Sequence, residues 1–288
     1  MNSILNYTAS QLQELCLELG FKPYRSKQLF QWIYRKRVAS FEAMSDLSLE
    51  MRQQLTETYS LSTLKQVTKQ VASDGTVKYL FACQDNSLIE TVLMRHDYGI
   101  SVCVTSQVGC NMACTFCASG LLKKTRNLEC AELVDQVLSV QRELDQDNLR
   151  ISHIVVMGIG EPFDNYDNVM NFIRVINDDN GLAIGARHIT VSTCGVVPMI
   201  RRFAQEQTQV NLAISLHAPN DGLRSELMPI NKAYPLAQLF DAIDEYSRLN
   251  NRKVTFEYIL LKDINDRVAD AIELAQLVKH RNAYVNLI

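Results

Sequence analysis

Three cysteines fall within eight positions of the stretch SQVGCNMACTFCAS, residues 106–119. Cys110, Cys114 and Cys117 make a C-x3-C-x2-C triplet, and thiolates this close together suit a soft metal centre. A structural zinc site takes four ligands, usually as two separated C-x2-C-like pairs, and no second pair occurs in the chain. Three thiolates fit an iron–sulfur cubane better: three irons are held by protein and the fourth is left open, the feature that separates catalytic from structural metal sites. Unligated thiols bunched in a loop would oxidise, which disfavours a site with no metal.

A second candidate is MGIGEP, residues 157–162, where glycine permits close backbone approach and Glu161 offers a carboxylate to an ammonium group. Alone, Gly-x-Gly-Glu is a weak signal and reads as a turn; its position one crossover after the cysteines raises it. A third is FKPYRSKQLFQWIYRKRVAS, residues 21–40, with six Lys or Arg, no acid, and Tyr24, Phe30, Trp32 and Tyr34 interleaved. Cations contact phosphates and flat rings stack on bases, so the stretch suits RNA. By itself it reads more readily as an amphipathic helix with aromatics inward and a solvated basic face. LKKTR, residues 122–126, is either a phosphate contact or a solvated loop.

The elements that position these residues follow from periodicity. Helical patterns with Ser, Thr or Asp caps cover 8–19, 26–38 and 47–58. Alternating Val and aromatic residues around Asp74-Gly75 in residues 69–83 predict a β-hairpin, and 88–94 a further strand. From residue 100, β-branched strands at 100–105, 151–158, 188–193, 209–216, 253–260 and 284–288 alternate with helical segments, clearest at 129–144, 166–178, 236–249 and 268–280. That rhythm implies parallel pairing with right-handed crossovers: an α/β chain forming a partial barrel of six strands, a doubly wound open sheet being the alternative. The cysteine triplet lies just past the C-terminal end of the first such strand, the functional mouth of a parallel barrel.

The totals bound the class. At 288 residues, with 47% hydrophobic and 21% charged residues and a net charge of −3, the chain is an ordinary globular protein, neither disordered nor coated in positive charge. It has no apolar run of membrane-spanning length and no signal-peptide layout, which predicts a cytoplasmic protein that touches no membrane. Eight scattered cysteines fit reduced thiols better than a secreted disulfide framework.

The triplet, with Phe116 before its last cysteine, resembles the radical S-adenosylmethionine (SAM) superfamily. SVCVTSQVGCNMACTFC, MGIGEP, VSTCGVVP, LAISLHAPND, LMPINK and VNLI, in this order, resemble the RlmN family of RNA adenine-C2 methyltransferases from about residue 88 onward. The resemblance implies a radical SAM barrel, (β/α)6 in kind but truncated here at its sixth strand, with a small helical N-terminal domain. The implied division is 1–65 as a helical RNA-binding accessory domain, 66–95 as a joining β-extension and 96–288 as the methyltransferase barrel. It also implies one [4Fe-4S] cluster and SAM as cofactors, and methylation of C2 of an adenosine in 23S rRNA and of the adenosine beside the anticodon in tRNAs. The partners are then those RNAs and an electron donor such as flavodoxin or ferredoxin, and the protein is taken as a monomer. On this resemblance the basic stretch at 21–40 moves to an RNA-contacting role.

Residue by residue, the resemblance makes Cys110, Cys114 and Cys117 the cluster ligands and places Gly160, Glu161, Ser192, Ser215, Leu216, His217 and Asn286 around SAM. Without it, Ser192 and Asn286 read as strand-end polar residues and His217 as a half-buried imidazole. RlmN enzymes move a methyl group from one SAM to a cysteine near the C-terminus, then use a second SAM to make a radical on that methyl, which attacks C2. A base removes the C2 proton and a second thiol forms a disulfide that releases product; Glu90 and Cys103 match these positions. On their own, Glu90 is a solvent-facing strand carboxylate and Cys103 a small buried thiol, on the same face of its strand as Ser101 and Thr105. Cys16, Cys83, Cys130 and Cys194 read as small apolar fillers.

The family's methyl-carrying cysteine lies beyond VNLI, and no residue up to Ile288 matches it; the chain is read as truncated, and if complete as able to hold cluster and SAM without turnover. Two other functions compete. Enzymes of the Cfr type methylate C8 of the same adenosine, but carry cysteine where this chain has Val108 and alanine where it has Pro162. A non-catalytic RNA-binding protein with a structural zinc is the other.

Overall fold

The computed structural model describes residues 2–288, which divide into two compact units. The first runs to Ser106 and adds 128–154 and 167–185; the second comprises 107–127, 155–166 and 186–288. Among the described residues, no helix is long and apolar enough to cross a membrane.

The first unit begins with helices α1 (Ala9–Glu18), α2 (Tyr24–Tyr34) and α3 (Leu49–Thr58). Thr8 starts α1 with a capping box: its hydroxyl accepts from the Gln11 N–H, and the Gln11 side chain accepts from the Thr8 N–H at 2.9 Å. Ser48 caps α3 with its hydroxyl alone, which accepts from Met51 N–H. Leu12, Leu15, Leu29, Phe30, Ile33, Met51 and Leu55 turn inward at helical spacing and form the local core.

Strands β1 (Leu64–Val71), β2 (Val77–Cys83), β3 (Leu88–His96) and β4 (Gly99–Cys103) follow as an antiparallel meander. The expected 69–83 hairpin is present, starting earlier. β4 pairs antiparallel with β3, because only Asp97 and Tyr98 separate the two strands and so short a link returns the chain antiparallel, with His96 opposite Gly99. Helix α4 (Cys130–Leu144) locks one face of this meander. Gln136 accepts from Thr91 Oγ1 and Thr105 N–H, both at 2.8 Å, and donates to Thr105 O at 3.0 Å. Asp135, fully buried, accepts from Thr63 N–H at 2.6 Å and Leu64 N–H at 3.0 Å and so fixes the entry to β1.

Strand β5 (Ile151–Val156) has its first four residues in the first unit and its last two in the second. Within the first unit the strand order is β5-β4-β3-β2-β1. Helix α5 (Tyr166–Asn177) follows. The second unit continues with β6 (Ile189–Thr193), α6 (Val197–Gln205), β7 (Asn211–Ser215), α7 (Asp221–Leu227), α8 (Leu236–Asn250), β8 (Val254–Tyr258), α9 (Val268–Val278) and β9 (Ala283–Leu287), ordered β9-β8-β7-β6-β5. Pairings β6–β7, β7–β8 and β8–β9 are parallel, as the alternation predicts. Ile189, Val191, Leu212, Ala213, Ile214 and Phe256 are completely buried, the mark of parallel strands covered on both faces. The α/β class with an N-terminal helical part stands. Helices α6 and α7 were not expected: α6 is short with Pro198 in its first turn, and α7 has only seven residues, so neither offers enough helical turns for a clear periodicity.

Candidate cluster and cofactor site

The cysteine loop is folded back on itself before any metal is considered. Gln107–Val108 pairs antiparallel with Arg126–Asn127, and Cys110 N–H donates to Leu122 O at 2.9 Å. Gly109 makes this possible: it sits at φ 76°, and a Cβ there would lie 2.4 Å from Lys123 O. Thr115 N–H donates to Leu227 O at 2.9 Å and Lys124 pairs with Asp164 at 2.6 Å, so one cation of the 122–126 stretch is committed within the protein.

A cavity of about 260 Å³ opens at the C-terminal ends of β5, β6 and β7. Cys110, Cys114 and Cys117 line it with Gly160, Glu161, Ser192, Ser215 and His217. Leu216 does not: it is fully buried behind the wall, and its carbonyl accepts from Arg224. Asn286, exposed on β9, reaches the cavity only through Glu257, whose carboxylate accepts from Asn286 Nδ2 at 2.7 Å and which does line it. Glu257, Cys194 and Arg224 escaped sequence reasoning as site residues. A carboxylate at the end of a buried strand is the signal that would have found Glu257, whereas nothing in the pattern around Arg224 separates it from a surface arginine.

The donor set fits a cluster. Burial and the neighbouring Cys117, Cys110 and Glu161 push the Cys114 thiol up to about 12, and burial pushes Cys110 up too. Thiols so disposed lose their protons to iron rather than to water. Among the described residues, no three His, Cys, Asp or Glu side chains converge to hold a single metal ion. A cubane takes one thiolate per iron, and three thiols spread around a cavity suit that geometry.

The remaining residues surround the same space. Glu161, 3% exposed, accepts Phe163 N–H at 3.0 Å on one oxygen and Cys194 N–H at 2.8 Å on the other. Burial raises its pKa, while these hydrogen bonds oppose the shift; a carboxylate has lone pairs left for a further donor. Gly160, at φ 103°, lets the backbone pass Gln107, whose Cβ would lie 2.5 Å from an added Cβ. Gln107 in turn accepts Glu161 N–H at 2.9 Å. His217 adopts left-handed φ of 55°, its Nδ1 accepts Ile259 N–H at 3.0 Å, and its ring meets Phe116 edge-on at 4.7 Å. Burial first, and the Arg224 charge second, pull the imidazole down to about 4, so it is neutral at physiological pH.

Glu90 and Cys103 belong to the first unit. Cys103 stands opposite Val92, so by alternation Glu90 and Cys103 share one face of the β3–β4 pair, opposite the face on which Thr91 meets α4. Glu90 pairs with Lys78 across the ladder at 3.1 Å and is half-exposed. No disulfide links any two of the eight cysteines among the described residues. Cys16, Cys83, Cys130 and Cys194 are buried, but Cys194 also lines the cavity and is more than filler.

Parallel strands whose ends bring a C-x3-C-x2-C triplet, a buried glutamate and a neutral histidine into one cavity define a radical SAM enzyme, and the comparisons agree. Residues 104–275 match the model of the Radical SAM superfamily, and residues 2–61 that of the ribosomal RNA large subunit methyltransferase N-terminal domain. A probable dual-specificity RNA methyltransferase RlmN of Spiroplasma citri is 58% identical over 288 residues, covering 100% of this chain and 84% of that protein. The RlmN counterpart of Enterococcus faecalis is 58% identical over 290 residues, covering 99% and 81% respectively. The crystal structure of a radical SAM methyltransferase from Sphaerobacter thermophilus aligns with a TM-score of 0.95 at 42% identity, covering 100% of this chain and 84% of that one. The chain belongs to the RlmN family, whose cofactors are a [4Fe-4S] cluster and SAM.

Proposed function

We propose that this protein is a radical SAM RNA methyltransferase that methylates C2 of an adenosine in 23S rRNA and the adenosine beside the anticodon of tRNAs. The observation that carries this is the gathering of three free thiols and a buried carboxylate around one cavity, in a chain belonging to the RlmN family. When bound, the cluster supplies the electron that splits SAM and so opens an adenine carbon too inert for ordinary methyl transfer.

In this reading Cys110, Cys114 and Cys117 each give one thiolate to the cluster. Glu161, already braced by two backbone N–H groups, accepts from the SAM ammonium without moving. Gly160 lets the cofactor approach the backbone, and Ser192 and Ser215 offer hydroxyls from two adjacent strand ends. His217 stays neutral, with its Nδ1 engaged by Ile259 N–H, and presents its other nitrogen as a donor. Leu216 holds the wall by packing, and Asn286 orients Glu257. Glu90 takes the C2 proton and Cys103 is the thiol that resolves the adduct; their common face on the β3–β4 pair supports the assignment.

The N-terminal residues 1–65 are read as the RNA-binding accessory domain, with 66–95 as a joining β-extension and 96–288 as the catalytic part. Lys22, Tyr24, Lys27, Arg35 and Lys36 are exposed on and beside α2, and Lys36 lies 3.2 Å over the Trp32 ring, a cation and a flat face presented together. The protein works in the cytoplasm as a monomer, drawing electrons from a flavodoxin or ferredoxin. Val108 and Pro162 favour C2 over C8. Anaerobic reconstitution tests the reading: about four irons per chain and a SAM-dependent change in the cluster's EPR spectrum are expected, whereas colourless protein holding zinc overturns it. Mass spectrometry of adenosines from RNA modified in cells expressing the protein separates 2-methyladenosine from the 8-methyl product of the Cfr-type alternative.

A further inference from the structure

Arg224 is the largest side chain that this fold buries completely. Its guanidinium makes four hydrogen bonds: Nε to Leu216 O at 3.2 Å, Nη2 to Cys194 O at 2.7 Å and Ser215 O at 3.2 Å, and Nη1 to Asn231 Oδ1 at 2.9 Å. Every acceptor is neutral. Among the described residues no carboxylate forms an ion pair with it; Asp221 is reached only through Asn231, which donates to Asp221 Oδ1 at 2.9 Å. Arginine stays protonated in proteins, so this is a whole positive charge taken out of water without a counter-ion. Such a charge is costly, and a neutral polar donor would tie the same strand ends at lower cost.

The place of the charge shows what balances it. Cys194 and Ser215, two of its acceptors, line the cavity that holds the cysteine triplet, and Cys114 packs against the cluster of Cys194, Leu227 and Met228. A centre held there by three thiolates brings negative charge to this wall and gains one more unit when it accepts an electron. A fixed cation nearby favours the reduced form over the oxidised one, and in a buried site that preference is not screened by solvent.

We infer that Arg224 is a positioning residue with a second role: it holds the β6 and β7 ends in place and, by its buried charge, raises the reduction potential of the cluster. This rests on the cluster assignment above. The step is a one-electron reduction, with the electron supplied by a low-potential one-electron donor and no proton taken up by Arg224.

The test is an EPR-monitored redox titration of the anaerobically reconstituted, SAM-free protein, with dithionite as donor. Arg224→Gln, which keeps donors but removes the charge, is expected to lower the ratio of reduced to oxidised cluster about tenfold at a fixed potential, about 59 mV for a one-electron couple. Arg224→Lys is expected to keep the wild-type ratio, and Asp221→Asn to raise it. Equal shifts in the Gln and Lys variants would assign the effect to the guanidinium fork and overturn the proposal, as would no shift in either. If Arg224→Gln takes up no iron, Asp221→Asn decides: an unchanged or lowered ratio overturns the inference. Failure of the wild-type protein to assemble a cluster would instead strike the cluster assignment, so the two failures are distinguishable.

Discussion

Glu161 accepts the backbone N–H of Cys194 at 2.8 Å, joining the loop after β5 to the end of β6 across the floor of the cavity. One carboxylate therefore both ties two strand ends and faces the space that the thiols surround. Its second oxygen is braced by Phe163 N–H, so its position is set before any ligand arrives.

Glu161→Gln removes the charge and places an amide N–H₂ against one of two backbone donors. SAM affinity of the reconstituted protein is expected to fall roughly 10- to 100-fold, the worth of about 1.5–3 kcal/mol for a hydrogen bond to a charged group. Isothermal titration calorimetry measures it; unchanged affinity would remove Glu161 from the ammonium-binding role.

Gly160→Ala forces a Cβ to within 2.5 Å of Gln107 Cβ at φ 103°. The expected loss is about 1–3 kcal/mol of stability, from left-handed strain and the displaced Gln107. Thermal unfolding reads it as a lower Tm, and SAM binding should weaken in parallel because Gln107 also holds Glu161 N–H at 2.9 Å.

The His217 imidazole is held down to about 4 by burial and by Arg224. Its ring resonances are therefore expected to stay in the neutral form between pH 8 and about 5, although an unperturbed imidazole has a reference value near 6.5. The sign follows from linkage: the unfolded chain binds this proton more readily, so the contribution to stability is full above about pH 6.5 and is lost as pH falls towards about 4. Titration by NMR checks it, and a midpoint near 6.5 for His217 would contradict it.

Cys114→Ala is expected to abolish iron uptake, whereas Cys130→Ala, which removes a thiol buried on α4 away from the cavity lining, is expected to retain it. Iron and sulfide analysis after anaerobic reconstitution distinguishes them. Equal iron in both variants would mean that the triplet does not hold the metal.

Much of the route to these residues was open to sequence reasoning. The spacing of Cys110, Cys114 and Cys117 points to a ligand set whatever the fold, because candidate ligand count and type follow from thiolate chemistry. Six strand positions and most helices were legible from alternation and from the Thr8 cap, with strand boundaries moved by one or two residues and the end of α2 by four. The antiparallel pairing of β3 with β4 was not part of the sequence reading, because periodicity reports burial, not strand partners. Asp135 and Gln136 look like two more polar residues of an amphipathic helix, yet both are buried, satisfied by backbone and hydroxyl donors from segments far away in sequence.

The sequence by itself determined the chemistry that the protein is able to carry: three closely spaced thiols, a glutamate after glycine, and a succession of strands whose ends could bring them together. Only the tertiary structure decided which polar groups face the same cavity, that Leu216 stands behind its wall, that Asn286 donates to Glu257, and that among the described residues no carboxylate pairs with the buried Arg224. The reason is physical. Residue type and local periodicity are properties of a few neighbouring positions, whereas burial and electrostatic environment are set by segments separated by tens of residues, and they exist only once those segments pack.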